Sequence, residues 1–373
     1  MKPKPRVLMA GRTRYRLPLD PSLQRKFDAL GRRVELRVLG TAAGEAADAN
    51  GTFRLARPFP IRALDGPAFY AALPFRLAGE LRRFRPAAVL TQSPYEAAAA
   101  LLARRLAGAE TRVVVDVHGD WRTFARLYGS RARRLLAPIS DAVAGRALRG
   151  ADAVRTVSAY TTALVREAGA EPADQFPAFM DLEPFLAATK PLPARPTALF
   201  VGVLERYKNV DGLAEAWRSA APRVPGARFR IVGSGSLRPV VEKLVRELPS
   251  QTTWSQTLRT EEVVGALDEA TLLVLPSRSE GMGRVVVEAL LRGRPVVAAR
   301  VGGIPDLVRD GENGLLVEPG DTRALADALV RLLSDRAEAE RLASRARASA
   351  ERFVVSPDDW AESVRGLVER VAR

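Results

Sequence analysis

The chain of 373 residues contains no cysteine and a single histidine. These absences exclude disulfide bonds, thiol catalysis, cysteine-ligated metal sites and histidine clusters. No apolar run approaches the ~20 residues of a membrane-spanning helix. The apolar run near the N-terminus, Val7–Ala10, is too short for a secretory signal. We therefore expect a cytoplasmic protein without a metal centre, either soluble or bound peripherally to the inner face of a membrane.

The charge is strongly basic and unevenly distributed. A hydrophobic fraction of 47% is enough for a folded core, despite the net charge of +15. Residues 1–180 contain 30 basic and 16 acidic residues, whereas residues 181–373 contain 28 and 27. Such asymmetry indicates an anionic partner such as a phospholipid surface, a nucleic acid or an anionic substrate. An arginine-rich coding bias is the alternative explanation.

Short apolar segments alternate with helical patterns through both halves of the chain, which predicts two doubly wound, Rossmann-like α/β domains. The predicted strands are Arg6–Ala10, Val34–Leu39, Ala88–Thr91, Arg112–Val117, Ala153–Val157, Ala198–Val203, Phe229–Val232, Leu272–Leu275, Pro295–Ala298 and Gly314–Val317. The predicted helices of the first half are Pro21–Leu30, Pro67–Phe84, Tyr95–Leu106 and about Trp121–Leu148.

The predicted domains are residues 1–176 and 197–355, joined by a proline-rich hinge linker, 177–196. Ligands of open α/β sheets bind at the carboxyl ends of the strands. A cleft between the two facing domains is therefore the expected ligand site.

The most informative segment follows the strand Leu272–Leu275. Glu280 precedes three residues, Gly281–Gly283, that lead into a helix bearing Glu288. Glycines at a helix N-terminus let backbone N–H groups approach a phosphate, and carboxylates accept hydrogen bonds from sugar hydroxyls. The alternative is an ordinary turn followed by a solvated helix.

Two further glycine turns, at Gly233 and Gly302, also follow predicted strands. Several helix N-termini at one edge would suit a diphosphate. Lys208 follows the strand Ala198–Val203 and could neutralise a departing phosphate, or simply face solvent. His118 ends the strand Arg112–Val117 and could hydrogen-bond a substrate hydroxyl, although a lone histidine is often structural.

Together these motifs resemble the GT-B-fold retaining glycosyltransferases of family 4. The strongest match is the E-x7-E element from Glu280 to Glu288, which continues through residues 293–298 and 302–321. The resemblance covers essentially the whole chain, strongly in the second half and loosely in the first. It implies a GT-B fold, with two Rossmann-like domains facing across a cleft. It also implies that residues 356–373 form a helix that returns to the first domain, where Trp360 packs.

The resemblance also implies roles for individual residues. Glu280, His118 and Lys208 would act at the reaction centre, where Glu280 and His118 contact the transferred sugar and Lys208 binds the diphosphate. Glu288 would bind the nucleotide ribose. The implied donor-binding set is Gly202, Arg206, Gly233, Gly281, Met282, Gly283, Arg284, Val285 and Glu288. The implied acceptor-side loop contains Gly11, Arg12, Arg14 and Tyr15.

Two positions depart from the family pattern. Val203 follows Gly202, where the family usually has arginine, and Arg206 or Arg284 would have to supply the missing cation. The first loop is unusually rich in arginine, which indicates either an anionic acceptor or simple solvation of the loop.

We therefore expect an enzyme that moves a hexose from a UDP- or GDP-sugar to an acceptor hydroxyl, without metal or further cofactor. The acceptor is expected to be anionic or lipid-linked, in glycolipid or cell-surface glycoconjugate synthesis. The alternatives are a nucleotide-sugar epimerase of the same fold and a non-catalytic basic binding protein. No recognised nucleic-acid module is present.

The segment Pro67–Arg85 is either a basic amphipathic helix at a membrane or a core-packed crossover helix.

Overall fold

The computed structural model describes residues 3–44, 51–123 and 131–373, without the side chains of residues 62–63 and 131–134. These residues form two compact units. Unit 1 comprises the chain up to Asp181 and returns from Val355 to the C-terminus, and unit 2 spans Leu182–Val354. Among the helices of this described part, none is both long and apolar enough to cross a membrane.

Thirteen strands and twelve α-helices are present in the described residues. The strands are β1 (Arg6–Tyr15), β2 (Glu35–Ala42), β3 (Phe53–Ala56), β4 (Ala88–Thr91), β5 (Arg112–Val117), β6 (Ala153–Thr156), β7 (Asp174–Gln175), β8 (Thr197–Val201), β9 (Arg228–Val232), β10 (Thr252–Ser255), β11 (Leu272–Leu275), β12 (Val296–Ala299) and β13 (Gly314–Val317). The helices are α1 (Pro21–Arg33), α2 (Arg62–Phe84), α3 (Pro94–Ala107), α4 (Arg131–Gly150), α5 (Ala159–Glu167), α6 (Val210–Ala220), α7 (Arg238–Glu247), α8 (Thr260–Asp268), α9 (Arg284–Leu291), α10 (Thr322–Ser334), α11 (Arg336–Ala350) and α12 (Pro357–Ala372).

Each unit is a parallel sheet with helices on both faces. The sheet of unit 1 has the order β3-β2-β1-β4-β5-β6-β7, and that of unit 2 has the order β10-β9-β8-β11-β12-β13. All strand pairs are parallel. The prediction of two doubly wound α/β domains is therefore confirmed. The short strands β3, β7 and β10 lie at sheet edges and were not predicted, because two to four residues give little periodicity.

The C-terminal helix α12 belongs to unit 1. It packs beside α1 on one face of the sheet. Trp360 is 5% exposed in the apolar cluster on that face, as the sequence predicted. Its indole Nε1 donates a hydrogen bond of 3.2 Å to the Pro177 carbonyl oxygen. The last helix thus completes a core that residues 3–181 alone would leave open.

The segment predicted as an acceptor-side loop is instead the outer part of strand β1. Gly11 and Arg12 follow the inner part of the strand, and Arg14 pairs with Thr41 of β2 beyond a shift of register. Tyr15 is 3% exposed. Its ring meets Phe27 and Phe53 edge to face, with centroids 5.8 and 5.3 Å apart. Burial of this ring is the reason why the strand continues, so Tyr15 is a core residue and the prediction of a loop there was wrong.

Residues 67–84 lie in helix α2, and the burial of its side chains decides between the two interpretations of the segment Pro67–Arg85. Five of its large apolar residues face the core, since Phe69, Leu73, Leu77, Leu81 and Phe84 are all buried, whereas Phe75 is exposed. The segment is therefore a core-packed crossover helix rather than a free amphipathic one. The predicted helix at about Trp121–Leu148 includes residues 124–130, which lie outside the described residues.

The proline-rich segment after Asp181 is fastened to unit 2 by arginine side chains. Arg292 donates to the carbonyl oxygens of Ala187 and Ala188 at 2.8 and 3.1 Å. Arg294 donates to those of Lys190 and Pro191 at 2.7 and 3.3 Å. Arg292 also forms a buried ion pair with Asp268. Residues 187–191 of the predicted hinge are thus a fixed part of unit 2.

We expect Tyr15→Ala to lower the free energy of unfolding by about 3–5 kcal/mol, because it removes a buried aromatic ring from two ring contacts. Tyr15→Phe keeps the ring and is the matched control. Denaturant titrations of the three proteins measure the effect. An alanine variant as stable as the phenylalanine variant would contradict the assignment of Tyr15 to the core.

Candidate functional site

The strand order of unit 2 places a candidate site between β8 and β11. These two strands are neighbours, but the chain leaves them toward opposite sides of the sheet order. Ligands of open α/β sheets bind outside the carboxyl ends of strands at such a switch point. The segments that follow these strand ends are residues 202–209 and 276–283.

A buried ion pair joins those two segments. Lys208 lies in the short 3₁₀ turn Arg206–Lys208 after β8, and its Nζ is 2.5 Å from Oε1 of Glu280. The two side chains are only 11% and 10% exposed. Ser277, fully buried, donates from its hydroxyl to the same oxygen at 2.7 Å. The interpretation of Lys208 as a solvent-facing lysine is thereby excluded.

Arg278 reinforces this connection from the outside. Its Nε and Nη2 donate to Oδ1 of Asn209 at 3.1 and 2.8 Å. Its Nη2 also lies 3.2 Å from Oδ2 of Asp211, and its backbone N–H donates to the Tyr207 carbonyl oxygen. Asn209 holds a left-handed backbone, with φ of 55°. Arg278 thus fixes the turn that carries Lys208 against the loop that carries Glu280.

A glycine turn after β12 supports Glu280 from another side. A Cβ atom on Gly302 would lie 1.7 Å from the Glu280 carbonyl oxygen, and Gly302 has φ of +55°. The neighbouring Gly303 N–H donates to that same oxygen at 3.3 Å. Only glycine permits so close an approach of two backbones. This turn therefore positions the Glu280 loop.

Helix α9 contributes the second carboxylate. Its N-cap is Gly283, whose φ of 79° requires glycine, and Glu288 lies one turn further along. Glu288 is 6% exposed, so it is not a solvated helix residue. Its Oε1 is 2.6 Å from Nε of Arg284, which is about half exposed.

The side chains of the two pairs, Lys208 with Glu280 and Arg284 with Glu288, line one pocket of about 560 Å³ within unit 2. Its volume falls in the ordinary range for small-molecule sites. Seven of the predicted residues line it: Gly202, Lys208, Glu280, Gly283, Arg284, Val285 and Glu288. Apolar and polar residues that were not predicted complete the wall: Phe185, Val201, Val203, Tyr207, Leu258, Thr260 and Val263.

The loop and helix start that carry Leu258, Thr260 and Val263 were missed for a clear reason. They follow β10, an edge strand of four residues that the sequence pattern did not reveal. Without that strand, its carboxyl-end loop could not be placed at the site. Recognition of the segment Thr252–Ser255 as a strand would have placed these three residues at the site. This segment forms β10 and pairs with β9 along its whole length.

Four predicted donor-binding residues, Arg206, Gly233, Gly281 and Met282, are not among the residues that line the pocket. Gly233 instead allows close packing, since a Cβ there would lie 1.8 Å from the Gly202 carbonyl oxygen. Its N–H donates to Ser255, and its carbonyl accepts from the Trp254 indole at 2.9 Å. Its backbone N–H and carbonyl are thus both engaged within the fold, and its predicted contact with the donor stays a prediction.

The missing arginine at position 203 leaves an apolar side chain at the pocket, where Val203 is 44% exposed. Of the two suggested replacements, Arg284 lines the pocket, whereas Arg206 is exposed and does not. The structure therefore favours Arg284 as the cation at this site.

His118 belongs to unit 1, at the end of β5. Its Nε2 is 2.9 Å from Oδ2 of Asp116, whose other oxygen binds Nη1 of Arg155. The Arg155 guanidinium, with a side chain 3% exposed, lies over the Phe176 ring at 3.9 Å. Burial acts to raise the pKa of Asp116, but the charges of His118 and Arg155 outweigh it and hold that pKa below its ordinary range. Asp116 thus orients the imidazole.

The two arginines predicted to meet an anionic acceptor share one carboxylate. Arg12 and Arg14 lie 2.7 and 3.1 Å from Oδ2 of Asp65. The hydrogen bond from Arg12, with that from the Phe59 N–H, lowers the pKa of Asp65 to about 2. The side chains of Arg12 and Arg14 remain 38% and 54% exposed. Their proposed contact with an acceptor stays a prediction.

Two family models match this chain. The model described as "Glycosyl transferases group 1" covers residues 195–335, and the "Glycosyl transferase 4-like domain" covers residues 21–177. The fold and the two matches are those of the GT-B glycosyltransferases. Residues 195–335 belong to the group 1 glycosyl transferase family, and residues 21–177 belong to the glycosyl transferase 4-like family.

Several curated relatives of this chain are named as glycosyltransferases. A D-inositol 3-phosphate glycosyltransferase of Nocardia farcinica is 38% identical over 48% of this chain and 40% of its own length. A GDP-mannose-dependent alpha-(1-6)-phosphatidylinositol monomannoside mannosyltransferase of Mycobacterium tuberculosis is 30% identical over 62% of this chain and 63% of its own length. The matched region spans 34–40% of the length of the first three relatives.

Solved structures show the fold over the whole chain. Sucrose-phosphate synthase from Thermosynechococcus elongatus has a TM-score of 0.78 at 20% identity, covering 99% of both chains. Alr3699/HepE of Anabaena, in complex with UDP and glucose, has a TM-score of 0.68 at 19% identity, covering 98% of both chains.

We expect Gly302→Ala to destabilise unit 2 by at least about 2 kcal/mol more than Gly311→Ala. Both glycines have positive φ, at +55° and +74°, but a Cβ on Gly311 meets nothing within 4 Å. The control therefore carries only the backbone strain of about 1 kcal/mol. Denaturant unfolding of both variants gives the difference. Equal costs would contradict the close approach of Gly302 to the Glu280 loop.

Proposed function

We propose that this protein transfers a hexose from a nucleotide diphosphate sugar, a UDP- or GDP-sugar, to an acceptor hydroxyl with retention of anomeric configuration. The observation that carries the proposal is the pocket of unit 2. It brings two carboxylates, Glu280 and Glu288, and two cations, Lys208 and Arg284, to the switch point of the sheet. Carboxylates accept hydrogen bonds from sugar hydroxyls, and cationic side chains bind the negatively charged oxygens of a diphosphate.

In the proposed complex, Glu288 accepts hydrogen bonds from the ribose hydroxyls. Its carboxylate is nearly buried beside Arg284, so few competing waters reach it. The apolar side chains of Leu258 and Val263, together with Val203, offer a surface for a flat base. The names of the mycobacterial relative and of the Anabaena structure mention GDP-mannose and UDP with glucose. Both donor classes therefore remain in the proposal.

Glu280 holds hydroxyls of the donor sugar, and Lys208 faces the diphosphate. The bond between the anomeric carbon and the diphosphate oxygen breaks as the acceptor oxygen bonds to that carbon on the same face. The departing diphosphate takes the acceptor proton. Lys208, Arg284 and the N-terminus of α9 stabilise the negative charge that develops on the leaving group. The proposed reaction uses the nucleotide sugar as co-substrate and no further cofactor.

Unit 1 is proposed to bind the acceptor. His118, oriented by Asp116, contacts the transferred sugar, while Gly11, Arg12 and Arg14 lie on the acceptor side. An anionic or lipid-linked acceptor is supported by the excess of basic residues in positions 1–180 and by the phosphoinositol acceptors named for two relatives. We place the enzyme in glycolipid or cell-surface glycoconjugate synthesis, cytoplasmic and peripheral at an anionic membrane surface.

Calorimetric titration of UDP, GDP and ADP tests the donor site. We expect one nucleotide to bind wild-type protein and Glu288→Ala to weaken it at least about tenfold, the effect of losing one charged hydrogen bond. Glu242→Ala is the matched control. Glu242 pairs with Arg238 at the same i,i+4 spacing and the same Nε–Oε1 distance of 2.6 Å, outside the pocket.

The outcomes separate the proposal from its alternatives. No binding of any nucleotide would refute it and favour a non-catalytic binding protein in which Val203 has disabled the diphosphate site. Equal weakening of nucleotide binding by Glu242→Ala and Glu288→Ala would show that the pocket of unit 2 is not the nucleotide site. Isomerisation of a nucleotide sugar in the absence of acceptor would identify an epimerase instead.

A further inference from the structure

Helix α4 exposes an unusual apolar face. Leu135 is 80% exposed, Ile139 62%, Leu136 55% and Val143 39%. Residues three, four and seven apart lie on the same side of a helix, so these four side chains form one stripe. Away from these four side chains, α4 is packed against the core through its C-terminal half, where Ala144, Ala147 and Leu148 are buried. The stripe is therefore not a core face turned outward, but an additional apolar surface.

Contiguous exposed apolar residues of this kind mark interaction sites in soluble proteins. We call Leu135, Leu136, Ile139 and Val143 the α4 stripe. For comparison, helix α2 exposes two large apolar side chains among its described residues, Leu64 at 46% and Phe75 at 69%. Helix α4 differs from α2 because four exposed apolar side chains lie together on one side of it.

Basic residues flank the α4 stripe at both ends. Arg131, Arg133 and Arg134 stand in the first turns of the helix, and Arg146 and Arg149 in its last turns, against a single acidic residue, Asp141. Both Arg146 and Arg149 are exposed. An apolar stripe between basic ends is the pattern of a helix that lies in the headgroup region of an anionic membrane.

The charge also argues against a second copy of this chain as the occupant. Two α4 stripes in contact would bring together two strongly basic surfaces, since residues 1–180 hold 30 basic and 16 acidic residues. Like charges at close range oppose association, whereas an anionic bilayer attracts the same surface.

The position of the stripe suits an acceptor held at a membrane. Helix α4 ends at Gly150, just before β6 begins at Ala153, so its C-terminus lies at the amino edge of the sheet. Its 20 residues span about 30 Å, which carries its N-terminal half toward the carboxyl edge. The stripe occupies the N-terminal two thirds of α4, and His118 follows the carboxyl end of β5 at that same edge.

We infer that the α4 stripe docks this protein on an anionic phospholipid membrane, with the acceptor-side edge of unit 1 toward the bilayer. The inference rests on the proposed function only for its biological purpose, because the docking itself needs no donor or acceptor. The leucine, isoleucine and valine side chains enter the interface, and Arg146 and Arg149 meet the phosphate headgroups.

Flotation of the full chain with lipid vesicles tests the inference. We expect stronger binding to vesicles that contain phosphatidylglycerol than to vesicles of phosphatidylcholine alone. The double variant Leu135→Ser/Ile139→Ser removes the two most exposed members and should lower the partition coefficient at least about tenfold. Phe75→Ser, on α2, is the matched control and should bind as wild type does. Both serine variants change exposed side chains, and their thermal melts should match that of wild type.

Three results would overturn the inference. Wild-type protein that fails to float with phosphatidylglycerol vesicles at low salt would end it. So would a double variant that floats as well as wild type. Size-exclusion chromatography with light scattering that shows a dimer only when Leu135 and Ile139 are present would assign the stripe to a second copy. Nucleotide binding, measured without vesicles, reports separately on the proposed function.

Discussion

The candidate site depends on one buried ion pair, between Lys208 and Glu280. The pair connects the segment after β8 to the segment after β11, and so fixes the geometry of the pocket at the switch point of unit 2. An isolated charge in this position would be strongly destabilising, whereas the pair satisfies both members. Ser277 and Gly302 support the segment that carries Glu280, and Arg278 joins that segment to the turn that carries Lys208. In the proposed reaction, a bound diphosphate and sugar would share these two groups, which would add a catalytic role to the structural one.

Much of the fold could be predicted because buried parallel strands are short, continuous apolar runs. Strands such as β11 and β12 stood out for this reason, and the alternation with helices gave the two α/β units. The edge strands β3, β7 and β10 were missed, because they are short and only partly buried. The outer part of β1 was missed because Arg12 and Arg14 alternate with residues that face inward. Their charge is compensated by Asp65, more than fifty residues away, and no local pattern reveals that partner.

The candidate site was predictable where it lies on a continuous motif. The glutamates of the E-x7-E element, Glu280 and Glu288, line the pocket together, as does Lys208. Gly233 looked like a phosphate-binding glycine, yet its backbone groups are engaged within the fold, a distinction that needs the positions of Ser255 and Trp254. The sequence left open whether Arg206 or Arg284 replaces the missing arginine. Only the pocket wall distinguishes them, because it depends on the direction of each side chain.

The affinity of Glu280→Gln for a nucleotide sugar, relative to the free nucleotide, tests the account most directly. Glutamine keeps the shape of the side chain but removes its charge. If Glu280 holds the sugar, the variant loses at least about tenfold more affinity for the nucleotide sugar than for the free nucleotide. Equal affinities of wild type and variant for both ligands, or equal losses for both, would contradict the placement of the sugar beside the Lys208–Glu280 pair.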